Sequence, residues 1–211
     1  MTHIVWDWNG TLVNDHDVVV DSVNAVMRAF GRDPITADDY RTHYQRPVRH
    51  IYEHFLGSTV DDEVWRRINT EFHAHYQSGL GNIPLTAGAE EALTHCANRG
   101  HTQSLLSMFR SDLLMKEVDR FGIADWFHRI DGNNGAGDAP KAESLAQHLA
   151  NLNIRPRDAA LIGDTEDDAF AAQHVGARVV LLSGTQHHER LTATGAPVVD
   201  TIAEAIAALL D

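Results

Sequence analysis

The sequence is short of several things, and each shortage closes off a class of protein. It holds one cysteine, Cys96, in 211 residues. No internal disulfide framework is open to it, and no Cys/His ladder of a zinc site is present. Basic residues are few: 17 Lys and Arg stand against 30 Asp and Glu, for a net charge of −13. So acidic a surface repels phosphate backbones, and no nucleic-acid partner is expected. It repels anionic substrates as well, so a phosphate site has to be a local island of positive charge. No run approaches the ~18 apolar residues of a membrane span. The start, Met1-Thr2-His3-Ile4-Val5-Trp6-Asp7, lacks a basic segment followed by a long apolar one and reads as a strand, not a leader. A cytoplasmic, reducing location with no membrane partner is the expectation.

The chain does contain the makings of a packed domain, with 43% apolar and 22% charged residues. Four short apolar runs end in polar or glycine-containing turns. They are Ile4-Val5-Trp6 before Asp7, Ser104-Leu105-Leu106 before Ser107, Ala159-Ala160-Leu161-Ile162 before Gly163-Asp164, and Val179-Val180-Leu181-Leu182 before Ser183-Gly184. Such runs suit buried parallel strands. Helical patterns lie between them, over residues 89–99, 112–121, 142–152 and 167–175, three of them followed by a glycine. Alternating strand and helix predicts an open α/β sheet with right-handed crossovers. Residues 14–82 differ. Val18, Val19, Ser22, Val23, Val26, Met27 and Phe30 recur at helical spacing, as do Val48, Ile51, Tyr52, Phe55 and Leu56, and again Val64, Ile68, Phe72 and Tyr76. This segment predicts a helical module inserted after the first strand, between core segments 1–13 and 83–211.

In open parallel sheets, ligands bind beyond the carboxyl ends of the strands. The polar residues ending the runs therefore form the candidate site. Asp7-Trp8-Asn9-Gly10-Thr11 puts a carboxylate on a rigid strand end, with Gly10 permitting a tight turn and Thr11 offering a hydroxyl and an N–H to an anion. An Asp carboxylate can attack phosphorus. Gly163-Asp164-Thr165-Glu166-Asp167-Asp168 brings two further carboxylates one helical turn apart. Facing Asp7, they supply the hard oxygens that magnesium prefers, and without a cation they would repel one another. Lys141, after Pro140 and the glycine-rich stretch 131–137, can aim an ammonium at a transferring phosphoryl group.

These residues resemble the four motifs of the haloacid dehalogenase superfamily. Asp7-Trp8-Asn9-Gly10-Thr11 matches Asp-x-Asp-Gly-Thr, Ser107 the Ser or Thr ending the second strand, and Lys141 the third motif. Gly163-Asp164 with Asp168 matches Gly-Asp-x-x-x-Asp. The resemblance, closest to phosphoglycolate-phosphatase-like and β-phosphoglucomutase-like members, implies a Rossmann-like core with a small helical cap of type C1 over 14–82. It implies a Mg2+-dependent phosphohydrolase acting on a small phosphorylated metabolite, as a monomer or homodimer. Asp7 would be nucleophile and metal ligand, Asn9 a ligand through its backbone carbonyl, and Asp164 a carboxylate ligand, with Asp168 helping through bound water. Gly10, Thr11, Ser107, Met108 and Lys141 would hold the phosphoryl group. One departure matters: the family's general acid and base is Asn9 here, and an amide cannot exchange a proton in that way. A phosphomutase, or a phosphate-ligand sensor silenced at Asn9, are the rival expectations. A dehalogenase is disfavoured, because those relatives do not need the carboxylates Asp164 and Asp168.

Other features carry less. Arg46-Pro47-Val48-Arg49-His50 is a basic knot where capped relatives carry their specificity loop, and Arg46 and Arg49 are candidates to meet a substrate carboxylate or second phosphate. His73 and His75 lack a metal pattern. His187-His188 is expected on an exposed turn. The stretch 131–143 resembles a calcium loop only loosely, since Ala136 and Ala142 replace its required glycine and last ligand.

Overall fold

The computed structural model of the chain describes residues 1–134 and 140–210. The glycine-rich approach to Lys141 falls partly outside them, at 135–139. The chain divides into two compact units, Met1–Asn14 with Leu85–Asp211, and Asp15–Pro84.

In chain order the elements are β1 (His3–Trp6), α1 (His16–Ala29), α2 (Ala37–His43), α3 (Arg49–Leu56), α4 (Asp62–Gly79), α5 (Ala89–Asn98), β2 (Thr102–Arg110) and α6 (Ser111–Phe121). Then follow β3 (Ile130–Asn133), α7 (Lys141–Asn151), β4 (Ala159–Gly163), α8 (Glu166–Val175), β5 (Arg178–Leu182), α9 (His188–Thr192), β6 (Val198–Val199) and α10 (Ile202–Leu210). Among the described residues the first unit has a six-stranded sheet in the order β3-β2-β1-β4-β5-β6, parallel throughout.

The all-buried β1 lies in the middle, because only a central strand is covered on both faces and flanked on both edges. Alternation along the strands sorts side chains between the faces. Val5, Leu106 and Leu161 pack with Leu145 and Leu149 of α7 and Ala171 and Ala172 of α8. On the other face the Trp6 indole N–H donates to Gln103 Oε1 at 2.9 Å, and the Gln103 amide donates to the Leu93 carbonyl of α5 at 2.9 Å. Truncating a buried leucine such as Leu149 to alanine costs about 2–5 kcal/mol.

The α7 side of the sheet also buries a polar seam. His3 lies 2.8 Å from both Thr102 Oγ1 and Ser104 Oγ; Ser104 Oγ lies 2.7 Å from His148 Nε2, and His148 Nδ1 2.7 Å from Asp131 Oδ2. One proton arrangement satisfies every link. With His148 Nδ1–H donating to the carboxylate, its Nε2 accepts from Ser104. Ser104 then accepts from His3 Nε2–H, and His3 Nδ1 accepts from Thr102. Both imidazoles are neutral in this arrangement. Burial first, then the neighbouring His148 and His128, lower the His3 pKa to about 4. Burial lowers that of His148 too, against the pull of Asp131.

The helical unit closes around Val23, Val26, Met27, Tyr52, Leu56 and Ile68, the residues whose spacing announced helices. Tyr76 donates to Asp15 Oδ2 at 2.8 Å inside it. Several expectations need correction. The second run does not stop at Ser107: β2 continues to Arg110, with a register shift against β3 between Leu106 and Arg110. β3, β6 and α2 were not expected, and neither were α9 and α10. β3 is half-buried and carries a single aliphatic residue, β6 has two residues, and α2 buries none, so none of these three shows an apolar period.

Candidate active site

Strand order fixes where the chemistry can sit. From β1 the chain steps outward through β2 and β3 on one side and through β4, β5 and β6 on the other. The crevice for a ligand therefore lies beyond the carboxyl ends of β1 and β4. Asp7 continues β1, its N–H donating to the Ile162 carbonyl of β4 at 2.9 Å. Asp164 directly follows β4, and Asp168 lies in the first turn of α8. The Trp8 carbonyl accepts from the Thr11 N–H at 3.3 Å and the Val13 N–H at 3.0 Å, which turns the chain after Asp7.

Four ionisable groups converge there, all with side chains nearly closed to solvent. The Lys141 ammonium, on the first residue of α7, bridges Asp7 Oδ1 and Asp168 Oδ1, the latter at 2.5 Å. Asp168 Oδ2 caps its own helix, accepting from Thr165 Oγ1 at 2.7 Å and Thr165 N at 3.1 Å. Asp164 Oδ2 accepts from the Thr185 hydroxyl, and Thr11 Oγ1 lies 3.5 Å from Asp164 Oδ1. Two glycines make the approach possible. A Cβ on Gly10 would run into the Asp164 carboxylate and come 2.6 Å from Thr185 Oγ1, at a φ of +70° that itself disfavours a side chain. A Cβ on Gly163 would collide with the Asp168 side chain.

The electrostatics are unbalanced. Three carboxylates face one ammonium, and burial makes each uncompensated charge expensive. Burial, with Asp168 adding to it and Lys141 opposing, raises the Asp7 pKa to about 6. Burial together with Asp7 and Asp168 pushes Asp164 well above the usual carboxylate range. Burial pushes Asp168 the same way, but the Lys141 ammonium and the Thr165 hydrogen bonds outweigh it and hold Asp168 below that range. Burial works against the charge on Lys141, yet Asp168 and Asp7 hold it protonated.

Among the described residues, no three His, Cys, Asp or Glu side chains come together to hold an ion unaided. The donor set still suits magnesium, which keeps several waters and takes only one or two carboxylates. The excess of buried negative charge and the hard oxygens of Asp7 and Asp164 fit a divalent cation.

Of the residues singled out from the sequence, Asp7, Lys141, Asp164 and Asp168 are brought together. Gly10 and Thr11 adjoin them, but fully buried Thr11 has its N–H turned to Trp8 and its hydroxyl facing Asp164, so neither is directed outward to an anion as expected. Ser107 is buried, its Oγ accepting from the Phe109 N–H at 3.0 Å; Met108, next in β2, is half-buried. Arg49, in the helical unit, pairs with Asp62 at 2.8 Å and lies 5.5 Å over the Trp65 ring. Thr185 escaped sequence reading, since nothing marks one hydroxyl in a polar loop.

A model of the haloacid dehalogenase-like hydrolase family matches residues 4–182. The chain belongs to that family. Phosphoglycolate phosphatase 1 of Pseudomonas aeruginosa is 22% identical over 207 residues, covering 94% of this chain and 76% of that protein. Pyrophosphatase PpaX of Anoxybacillus flavithermus is 22% identical over 199 residues, covering 86% and 83%. The haloacid dehalogenase-like protein SP0104 of Streptococcus pneumoniae has a similar structure, with a TM-score of 0.85 at 17% identity over 100% of this chain and 99% of that one. A mutant of CbbY from Rhodobacter sphaeroides, solved with xylulose-(1,5)-bisphosphate, gives 0.76 at 19% identity over 97% and 96%.

Proposed function

We propose that this protein is a phosphatase that hydrolyses a small organic phosphate monoester through a phosphorylated Asp7. The observation that supports this most is the buried convergence of Asp7, Lys141, Asp164 and Asp168 at the carboxyl ends of β1 and β4. An Asp7 carboxylate oxygen attacks phosphorus, the ester bond breaks, and the leaving alkoxide must collect a proton. Water then cleaves the acyl phosphate, releasing inorganic phosphate and restoring Asp7. Lys141 and the Ser107 hydroxyl steady the phosphoryl oxygens, and Lys141 offsets the charge that develops on them. Asp7, Asp164 and the Asn9 carbonyl, with Asp168 behind them, would hold Mg2+, which when bound would further neutralise the phosphoryl charge. The helical unit is the proposed cap, with Arg46 and Arg49 assigned to recognising the organic part of the substrate.

Asn9 favours a second reading, a weakened enzyme or a phosphate-ligand sensor, because its amide cannot deliver the proton the leaving group needs. A panel of phosphoglycolate, pyrophosphate, a sugar bisphosphate, an aryl phosphate and acetyl phosphate, each with and without Mg2+, tests the proposal. Release of phosphate that needs Mg2+ and Asp7 is expected. Saturable binding of an ester with no turnover, even of acetyl phosphate, would favour the sensor.

A further inference from the structure

We propose that Thr185 is a positioning residue for Asp164, fixing which carboxylate oxygen is left for the cation. The inference rests on the metal reading above and goes beyond it to a residue outside the four motifs. The Thr185 hydroxyl holds Asp164 Oδ2, whereas Oδ1 has only Thr11 Oγ1 at 3.5 Å. One oxygen is tethered and the other nearly unclaimed. Thr185 is 8% exposed, and its hydroxyl packs against Gly10, so Asp164, Gly10 and Thr185 form one close contact.

The loop carrying Thr185 is itself anchored. Gln186 Oε1 accepts from the Glu166 N–H at 2.8 Å, and Arg190 of α9 pairs with the Glu166 carboxylate through two nitrogens, Nε at 2.9 Å. Both ties land on the first residue of α8 and come from the chain just after Thr185. The hydroxyl is therefore placed by a braced segment.

The physical need is clear from the neighbours. A carboxylate turns easily about its terminal bond, and Lys141 already bridges the two other carboxylates of the cluster. An untethered Asp164 can turn either oxygen toward that cation. A neutral hydroxyl fixes the rotation without adding charge to a crowded site, as outer residues commonly do for metal-ligating carboxylates.

Mn2+ binding, followed by the loss of the free-ion paramagnetic resonance signal, tests this without relying on turnover. The proteins compared are wild type, Thr185→Val, Thr185→Ser and Asp164→Asn, with Thr185→Ala in reserve if the valine variant does not melt cooperatively. Losing the hydroxyl is expected to weaken Mn2+ binding by about 10–100-fold, and the serine variant to stay near wild type. A valine or alanine variant that binds like wild type, while Asp164→Asn binds poorly, overturns the role of Thr185 and leaves the metal reading standing. Wild type that binds no Mn2+, or binds it no better than Asp164→Asn, overturns the metal assignment and this proposal with it.

Discussion

One buried polar cluster sits beyond the carboxyl ends of β1 and β4; another runs through the same unit from Thr102 and His3 by way of Ser104 to His148 and Asp131. Both start from β1 and both reach α7, through Lys141 in one case and His148 in the other; the first is nearly closed to water, whereas the second is partly exposed at its Asp131 end. Their balance differs. In the histidine chain each proton has one acceptor, and the imidazoles carry no charge. In the carboxylate cluster three carboxylates share the single ammonium of Lys141. A satisfied buried network stabilises a fold, whereas one with charge left over is held in readiness for a ligand.

The sharpest way to separate the two is to remove Asp7. Asp7→Asn is expected to lower phosphate release by more than about 10³-fold, because the amide cannot attack. Its melting temperature without metal should not fall. More than a few per cent of wild-type turnover would show that Asp7 is not the nucleophile.

Asn9→Asp should move the same cluster the other way. With no acid at position 9, rates are expected to drop steeply as the leaving group becomes more basic. The aspartate should accelerate alkyl esters by up to ~10²–10⁴-fold and aryl or acyl phosphates least. Equal wild-type rates on alkyl and aryl esters, with chemistry limiting, would contradict this.

The histidine chain should answer to stability instead. Ser104→Val strands a donor and an acceptor on two buried imidazoles, at a cost of about 2–5 kcal/mol, which lowers the melting temperature by roughly 10 °C. Asp164→Ala, also buried, should instead raise it slightly in metal-free buffer by relieving repulsion. Calorimetry showing both variants equally destabilised would erase the distinction drawn above.

The finest test is the response to pH without metal. His3 binds its proton less readily when folded, near 4 against 6.5, so its stabilisation is lost as pH falls from 6.5 toward 4. Asp7 binds its proton more readily when folded, near 6 against 3.8, so its stabilisation is lost as pH rises from 3.8 toward 6. Between pH 4.5 and 6 the two slopes oppose. The melting temperature of His3→Gln should fall with rising pH relative to wild type, and that of Asp7→Asn should rise, each by on the order of 3 °C. Parallel curves for all three proteins would refute the assignment of the slopes.

How much of this could be read from the sequence depended on chemistry more than on length. β1, β4 and β5 announced themselves as unbroken apolar runs because buried parallel strands have no polar face. Ile130-Asp131-Gly132-Asn133 did not, since an edge strand needs less cover and Asp131 serves the histidine chain instead. The carboxylates and Lys141 were legible because each stands at a strand end or helix start, where a motif is short and local. His3, Ser104 and His148 were not, because each is separately an ordinary residue and only the parallel register of β1 with β2 brings the first two together. Thr185 was hidden for a related reason: its partner is 21 residues away, across a helix and a strand.

Gly10 and Gly163 have a meaning for anyone who would re-engineer this protein. Each leaves out a single carbon, and a carboxylate fills the place, Asp164 against the first and Asp168 against the second. In a saturation library these two codons should tolerate no replacement, alanine included, while neighbouring exposed positions accept many. The missing atoms are thus an address: a scan for positions intolerant even of one methyl group would locate the floor of the carboxylate cluster without any assay of turnover.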